Sequence, residues 1–328
     1  MIRYLVRRLA YAVPILIGVN LLTFWLFFMV NTPDDIARMH LGRQHQKHVS
    51  TAAIRQWKVA HGYDLPVFYN PSGSGMGHWT DTLFAEKSLA MFALDFGAAD
   101  DGSDIATEIR TRMGPSLMIA VPAFLLGLWA NLSIALMMVW FRAGWQDRLG
   151  VAVATMLMSI SSLFFIIGGQ YLLAREWCWV PVSGFEPGLD GWRFVLLPVL
   201  VSVLAGMGRG SRWYRSVFLE EIGKDYVRTA RSKGLSEVSV LFGHVLRNGL
   251  IPVLTTTVAV IPLLFMGSLL TESFFGIPGL GAYVVEALQG EDFAVVRSMV
   301  FIGSVLYVLG LILTDIAYSV ADPRVRLS

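Results

Sequence analysis

Charge is what this sequence has least of. Asp, Glu, Lys and Arg make up 15% of the 328 residues and hydrophobic residues 55%, against about 25% and roughly 45 to 50% in ordinary soluble domains. That balance excludes a water-soluble globular domain and describes a chain that fills a membrane. The one cysteine, Cys178, excludes an internal disulfide and any multi-Cys metal cluster. No G-x-x-x-x-G-K-[ST] occurs. "EIGKDY" has a Gly-Lys pair but neither the upstream Gly nor the Ser/Thr, so the chain does not cradle ATP phosphates by that route. No cluster of nucleophile, base and metal ligands gathers at an apolar boundary, so catalysis by this chain is not expected.

What is present is gathered into blocks. Residues 9–33, 113–141, 149–174, 194–208, 248–271 and 298–314 contain no Asp, Glu, Lys or Arg. A spanning helix needs about 20 such residues to cross the hydrocarbon core. Four blocks reach that length, and the two shorter ones can draw on their neighbours. The sequence therefore predicts an all-α polytopic membrane protein with six spans, at about 9–31, 114–140, 149–174, 194–210, 249–271 and 297–319. It divides into 1–107, the first span plus a small segment outside the membrane, and 108–320, which holds the other five spans. The first block follows Arg3, Arg7 and Arg8, and "FMVNTPDD" offers no small-x-small cleavage site, which predicts an uncleaved anchor.

Orientation follows from the basic residues. With both termini inside, the inner parts hold fifteen Lys and Arg and the two short outer connections only Arg175, Arg193 and Arg297. That asymmetry is the positive-inside pattern, and Trp177, Trp179 and Trp192 flank an outer connection where an aromatic belt would lie. The expected location is thus a bacterial-type inner membrane, multi-pass, with cytoplasmic termini. The long outer segment 34–112 has helical patterning near 50–60 and a Gly/Ser-rich loop, "PSGSGMG", and is expected to form a small, partly ordered cap. His40, His45, His48 and His61 fall in it. Without carboxylate or Cys at confirming spacing they are expected to be solvated rather than metal-bound.

The polar island "EEIGKDYVRTARSKGLSEVSVLFGHVLRN", residues 220–248, interrupts this apolar chain. It reads as two short helices. Asp225 caps the first, Tyr226, Val227 and Ala230 share one side, and Arg231 and Lys233 suit the negative end of the dipole. Gly234 supplies a left-handed stop, followed by apolar Leu235. Ser236 caps the second helix, where Val238, Leu241, Phe242 and Val245 recur at helical spacing. Gly249 and Pro252 are expected to separate it from the next span. On pattern alone the island is either a docking element for another protein or a basic face against anionic lipid.

"DYVRTARSKGLSEVSVLFGHVLRNGLIPV" resembles the cytoplasmic loop of binding-protein-dependent ABC transporter permeases of the dipeptide/oligopeptide family. Their E-A-A-x3-G pattern reads here as Arg228-Thr229-Ala230-x3-Gly234. "RYLVRRLAYAVPILIGVNLLTFWL", "LDFG" at 94–97, "WVPVSG" at 179–184, "TESFFGIPGLG" at 271–281 and "YSVADPRV" extend the likeness over nearly the whole chain. Gly243, Glu221, Gly223 and the stretch from about 40 to 90 depart from the family pattern.

The resemblance implies a type I importer: two six-span permeases, usually different chains, two cytoplasmic ATPases carrying ATP and Mg, and an extracytoplasmic solute-binding protein. This chain would carry no cofactor of its own and catalyse nothing. Its coupling residues would be Glu220, Asp225, Tyr226, Val227, Arg228, Ala230, Arg231, Gly234, His244, Arg247 and Asn248. Tyr226, Val227 and Ala230 would give apolar contact to the ATPase, and Arg228 and Arg231 charge complementarity. Solutes of the family include peptides, nickel complexes and glutathione.

Glu272, Gly276, Pro278, Gly279 and Gly281 mark an outer gate or turn. "GIPGLG" follows an apolar helix rather than a strand, so it reads as a turn and not a nucleotide fingerprint. The rival class, an ion-coupled secondary transporter, needs ionisable groups deep in the membrane. The two candidates, Glu272 and Asp315, lie at the ends of apolar blocks where both are expected to reach water or a partner. Lipid is the expected surroundings of the spans, and nothing points to nucleic acid.

Overall fold

In this computed structural model residues 2–44, 49–188 and 191–321 are described. They form helices α1 (Ile2–Val30), α2 (Pro33–Gln44), α3 (Thr51–Ala60), α4 (Gly77–Thr80), α5 (Leu83–Lys87), α6 (Ile105–Trp140), α7 (Trp145–Ser159), α8 (Ser162–Gly169), α9 (Trp192–Ile222), α10 (Asp225–Ser232), α11 (Glu237–Val240), α12 (Leu246–Val260), α13 (Leu269–Phe275), α14 (Leu280–Gly290) and α15 (Phe293–Ala321). Among the described residues the only β feature is an isolated bridge between Ala98 and Asp104. Among the described residues five helical stretches are long and apolar enough to cross a membrane, or six if α7 and the helical stretch Ser162–Glu176, bent by 89° at their junction, count as one span.

Two of the expected spans look different in three dimensions. The run 149–174 is not one straight helix. Ile160 is extended and Ser161 starts α8 afresh, its hydroxyl accepting from the Leu163 amide at 3.4 Å. The run 249–271 is not a separate span either, because Gly249 and Pro252 do not break the chain. A π turn over Leu241–Val245, closed by the Leu246 amide on the Leu241 carbonyl, joins α11 to α12, and the helical stretch Glu237–Met266 is continuous. Pro252 sits inside α12, where Thr255 and Thr256 donate their hydroxyls to its carbonyl at 2.9 and 3.0 Å. The chain then turns at Gly267, and Leu269–Phe275 is a helix of its own.

The chain clusters into two compact units, one of Ile2–Arg110 with Glu286–Val305, the other centred on Thr111–Val285 with α15 from Leu306 onward. The first part of α15 groups with the N-terminal residues. In that N-terminal unit Phe24, 1% exposed, meets Phe28, Phe68 and Phe84 at ring distances of 4.4 to 5.5 Å. The segment between the first two spans packs rather than trails: Ala37, Ile54 and Trp57 make a small core, and Lys58 bonds Asp34 at 2.7 Å. The "PSGSGMG" loop is closed at its base, where the Asn70 amide donates to the His78 carbonyl at 2.9 Å. His61 stacks on Trp57 at 4.2 Å; His45 and His48 lie outside the described residues.

In the second unit α9 is the central element. Gly208 lets it approach the Ala154 carbonyl of α7 with no room for a Cβ. Arg215 of α9 forms a two-pronged pair with Asp147 of α7, both bonds 2.7 Å, with the Asp147 side chain 8% exposed. Ile119, Ile166, Leu197, Val201, Phe275 and Ile277 form one apolar core, and Ala135, Val139, Phe218, Val227, Ala230 and Val245 another.

Candidate functional site

The polar island folds as a hairpin of α10 and α11 between the ends of α9 and α12. The residue at the N-cap of α10 is Lys224, in extended conformation and with no side-chain cap bond. Asp225, expected as the cap, is already the first helical residue and instead faces Arg228 at 3.4 Å, both side chains exposed. Gly234 closes α10 at φ +79°. Its amide bonds the Arg231 carbonyl at 2.9 Å and the Leu235 amide bonds the Ala230 carbonyl at 3.4 Å, the paired bonds of a Schellman stop. Ser236 caps α11 through the Ser239 amide. Arg231 then ties the two helices together, bonding both oxygens of Glu237 at 2.8 and 3.1 Å.

Burial assigns the faces differently from the sequence pattern. Val227 and Ala230, expected to meet a partner, are 0% and 5% exposed and belong to the chain's own core with Phe218 and Val245. On α11 and the π turn the apolar positions divide, with Val240, Leu241 and Val245 inward and Val238 and Phe242, each 53% exposed, outward. Leu235 is exposed beside them. The outer surface thus carries Leu235, Val238 and Phe242 together with exposed Asp225, Arg228, Lys233 and Arg247. Glu220 is also exposed, at the end of α9, while Tyr226, His244 and Asn248 are half-buried.

The residue that sequence reasoning missed is Glu221. It is 7% exposed, and its two oxygens take Lys224 Nζ and the Tyr226 hydroxyl, the latter at 2.6 Å. Burial, with the bond to Glu221 second, pushes the Tyr226 phenol up to about 12, and an Asn248 contact pulls the other way. Asn248 in turn donates to the His244 carbonyl at 3.0 Å. One buried carboxylate therefore connects the last turn of α9, the first turn of α10 and the start of α12. In the sequence it is only the second Glu of "LEEIG", with no spacing that marks it out. Gly249 completes the joint, because a Cβ there would stand 2.6 Å from a Phe218 ring carbon.

The second group of candidate residues surrounds Glu272. Its expected access to water or a partner is not what the structure has, since Glu272 is 1% exposed. Oε1 accepts from the Ser268 amide at 3.0 Å and Oε2 from the Ala282 amide at 3.1 Å. The Ser116 hydroxyl, which also accepts from the Leu280 amide at 2.8 Å, completes the shell. Gly267 and Gly279 lie so close that a Cβ on either would overlap the carboxylate, and one on Gly281 would stand 2.5 Å from the Ser268 carbonyl carbon. Gly276, at φ +63°, ends α13, and exposed Pro278 leads with Gly279 into α14. "GIPGLG" is thus a turn wrapped on a buried carboxylate. The neighbouring "WVPVSG" loop joins it: the Gly184 amide bonds the Phe275 carbonyl at 2.7 Å, and Gln170 bonds the Val182 and Phe274 carbonyls at 3.1 and 3.0 Å. Among the described residues no group of three or more His, Cys, Asp or Glu side chains could hold a metal ion.

Residues 116–327 match the family described as binding-protein-dependent transport system inner membrane component, and residues 1–92 match the N-terminal family of such membrane components. A putative peptide transport system permease protein of Brucella abortus is 32% identical, with 98% of each chain covered. The dipeptide transport system permease protein DppB of Alkalihalophilus pseudofirmus is 25% identical over 99% of this chain and 100% of its own. The glutathione transport system permease protein GsiC of Escherichia coli K12 is 27% identical, with 99% of each covered. With a fold of membrane-length helices and family matches from end to end, this chain belongs to the binding-protein-dependent transport system inner membrane components.

Proposed function

We propose that this chain is the permease subunit of an ATP-driven importer for short peptides or closely related small solutes, with the α10–α11 hairpin as the place where a cytoplasmic ATPase transmits its movement. The observation that carries this is the hairpin's construction. Its inner face is fixed to α9 and α12 through Glu221, Tyr226, Asn248 and the Phe218 core, while Leu235, Val238 and Phe242 are left outward beside Arg228 and Arg247. A rigid lever needs the first property and a docking surface the second. The solute class follows the relatives, two of which are named as peptide or dipeptide permeases.

In this reading both termini are cytoplasmic, as the fifteen basic residues on that side favour. ATP and Mg sit on the ATPase subunits. A second six-span permease and an extracytoplasmic binding protein complete the assembly, and this chain is the non-catalytic conduit. The caged Glu272 speaks against an ion-coupled secondary transporter, because every acceptor on it is committed to the turn around it.

Since Ala230 is buried, a charge placed there reports on folding, and the outward residues make the better test. Val238→Asp and Phe242→Asp are expected to abolish co-purification with the ATPase and ATP-dependent uptake in vesicles, with the melting temperature of the purified chain little changed. Full uptake and undiminished ATPase binding in both variants would sink the assignment.

A further inference from the structure

The uncharged run 149–174 breaks well inside its length. Ser159 ends α7, Ile160 is extended at φ −88° and ψ 129°, Ser161 is extended as well, and the helical stretch from Ser162 leaves at 89° to α7. Leu149, where the run begins, lies about 15 Å along α7 from Ser159, so the break falls inside a hydrocarbon core of roughly 30 Å. Such a break opens the helical ladder, because the carbonyls that end α7 and the amides that start α8 have no helical partner. Ser161 takes two of those amides, Leu163 on its hydroxyl at 3.4 Å and Phe164 on its carbonyl at 3.0 Å. Ser159, Ser161 and Ser162 are exposed. Irregular backbone at membrane depth is stable only where protein buries it or water reaches it, since lipid tails offer no hydrogen bonds.

The neighbours of the break decide between protein and water. Thr155, one turn earlier on α7, is exposed, and Arg212 of α9 donates to its hydroxyl at 3.3 Å and reaches the Met158 sulfur at 3.9 Å. Arg209 lies one turn from Arg212 on the same exposed face of α9. Gly208 holds α9 against the end of α7, since a Cβ there would stand 3.0 Å from the Met158 backbone nitrogen. Both arginines are exposed, and among the described residues neither is paired with a carboxylate. A dry cover of lipid or protein would strand two guanidiniums without an anion, which is costly. Water keeps them hydrated, and the same water serves the open backbone of the break.

We propose that the α7–α8 break, with Thr155, Arg209 and Arg212, lines the water-filled path of the solute, and that the two arginines give this path a positive potential favouring solutes that carry a carboxylate. The proposal rests on the peptide-importer reading above for the identity of the solute, and it assigns the path to residues other than those of the hairpin and the Glu272 turn.

The single cysteine makes the test direct. With the exposed Cys178 replaced by Ser, Ser161→Cys and Ser159→Cys are introduced one at a time into the assembled transporter in membrane vesicles. They are labelled with two membrane-impermeant methanethiosulfonates, one carrying trimethylammonium and one sulfonate. Leu22→Cys, on the uncharged part of α1 and 58% exposed, is the reference for a thiol facing lipid. From one face of the membrane the break thiols are expected to react about 10-fold faster than the reference or more, because thiolate and charged reagent meet only in water. Labelling is expected to block uptake of Ala-Ala. Arg209→Gln together with Arg212→Gln is expected to lower the ratio of anionic to cationic labelling rates roughly threefold or more. Thermal melting and co-purification check that the variants fold and assemble; Ser159→Cys decides where Ser161→Cys does not, and Arg209→Gln alone where the double variant does not. Break thiols no faster than Leu22→Cys, a rate ratio that the arginine variants leave unchanged, or full uptake after complete labelling overturns the proposal. Ala-Ala uptake with unreactive break thiols overturns the path and leaves the importer reading standing. Reactive thiols and a shifted ratio without ATP-dependent uptake of any peptide sustain the path and remove the importer reading.

Discussion

Two glycines of one turn, Gly276 and Gly279, are expected to respond very differently to the same added methyl group. At Gly279 a Cβ would stand 2.5 Å from Ser116 Oγ and closer still to Glu272 Oε2, so the carboxylate has to leave its seat. Overpacking of a tight site costs about 1–3 kcal/mol, and weakening a hydrogen bond to a charged group adds about 1.5 kcal/mol or more, giving roughly 2–4 kcal/mol in all. At Gly276 the nearest atom is 3.6 Å away, and only the left-handed backbone at φ +63° resists, which costs about 1 kcal/mol. With about 2 °C of melting temperature per kcal/mol in a chain of this size, Gly279→Ala should melt roughly 4–8 °C lower than wild type and Gly276→Ala about 2 °C lower. The assay is thermal unfolding of the purified chain in one lipid composition. A double-mutant cycle isolates the cause: in a Glu272→Ala background the penalty of Gly279→Ala should shrink by about 1 kcal/mol or more, because the group it collides with is gone. Equal shifts for the two glycines, or strict additivity in the cycle, would refute the cage.

The Tyr226–Glu221 bond predicts a pH dependence confined to the alkaline side. The folded phenol, pushed up to about 12, titrates above its unfolded value of about 10. The stability it contributes is therefore complete below about pH 10 and lost as pH rises toward 12. Discounted for its partial exposure the contribution is about 1 kcal/mol, and Tyr226→Phe should remove one phenolate step near pH 12 from an absorbance titration. Gly249→Ala should destabilise the joint of α9 and α12 by about 1–3 kcal/mol, and trimming the ring it strikes, Phe218→Leu, should recover part of that loss in melting experiments.

The spans were legible because a block without charge admits few other readings, and the family matches agree with the resemblance carried by the island and the outer turn. The details that were not legible share a cause. Gly and Pro punctuate helices in water, and the pair Gly249 and Pro252 was read that way. Inside a packed bundle Gly249 instead makes room for Phe218, and the threonine hydroxyls of α12 hold the carbonyl of Pro252, so the same residues sit within one helix. The opposite failure occurred at Ile160 and Ser161, where an uninterrupted apolar run hides an 89° bend, because serines that can cap a new helix are also ordinary span residues. On the hairpin, periodicity marked Val227 and Ala230 as apolar correctly. Periodicity cannot say whose core covers such a face, and here it is the chain's own.

The two buried glutamates show why charge in an apolar chain is hard to place from sequence. Cost arguments favour putting any lone carboxylate where it reaches water; on that reasoning Glu272 was expected at an accessible boundary, and Glu221 stood out only as a departure from the family's loop pattern. Both instead have a donor on each carboxylate oxygen. Glu221 has a lysine and a phenol from the next turn. Glu272 has backbone amides that reach it only because Gly267 and Gly279 carry no side chain. Glycine spacing that superficially resembles a phosphate-binding fingerprint is here the imprint of an internal carboxyl group, using the same kind of backbone donors for a side chain the protein supplies itself. Where such a carboxylate is caged, its role is structural.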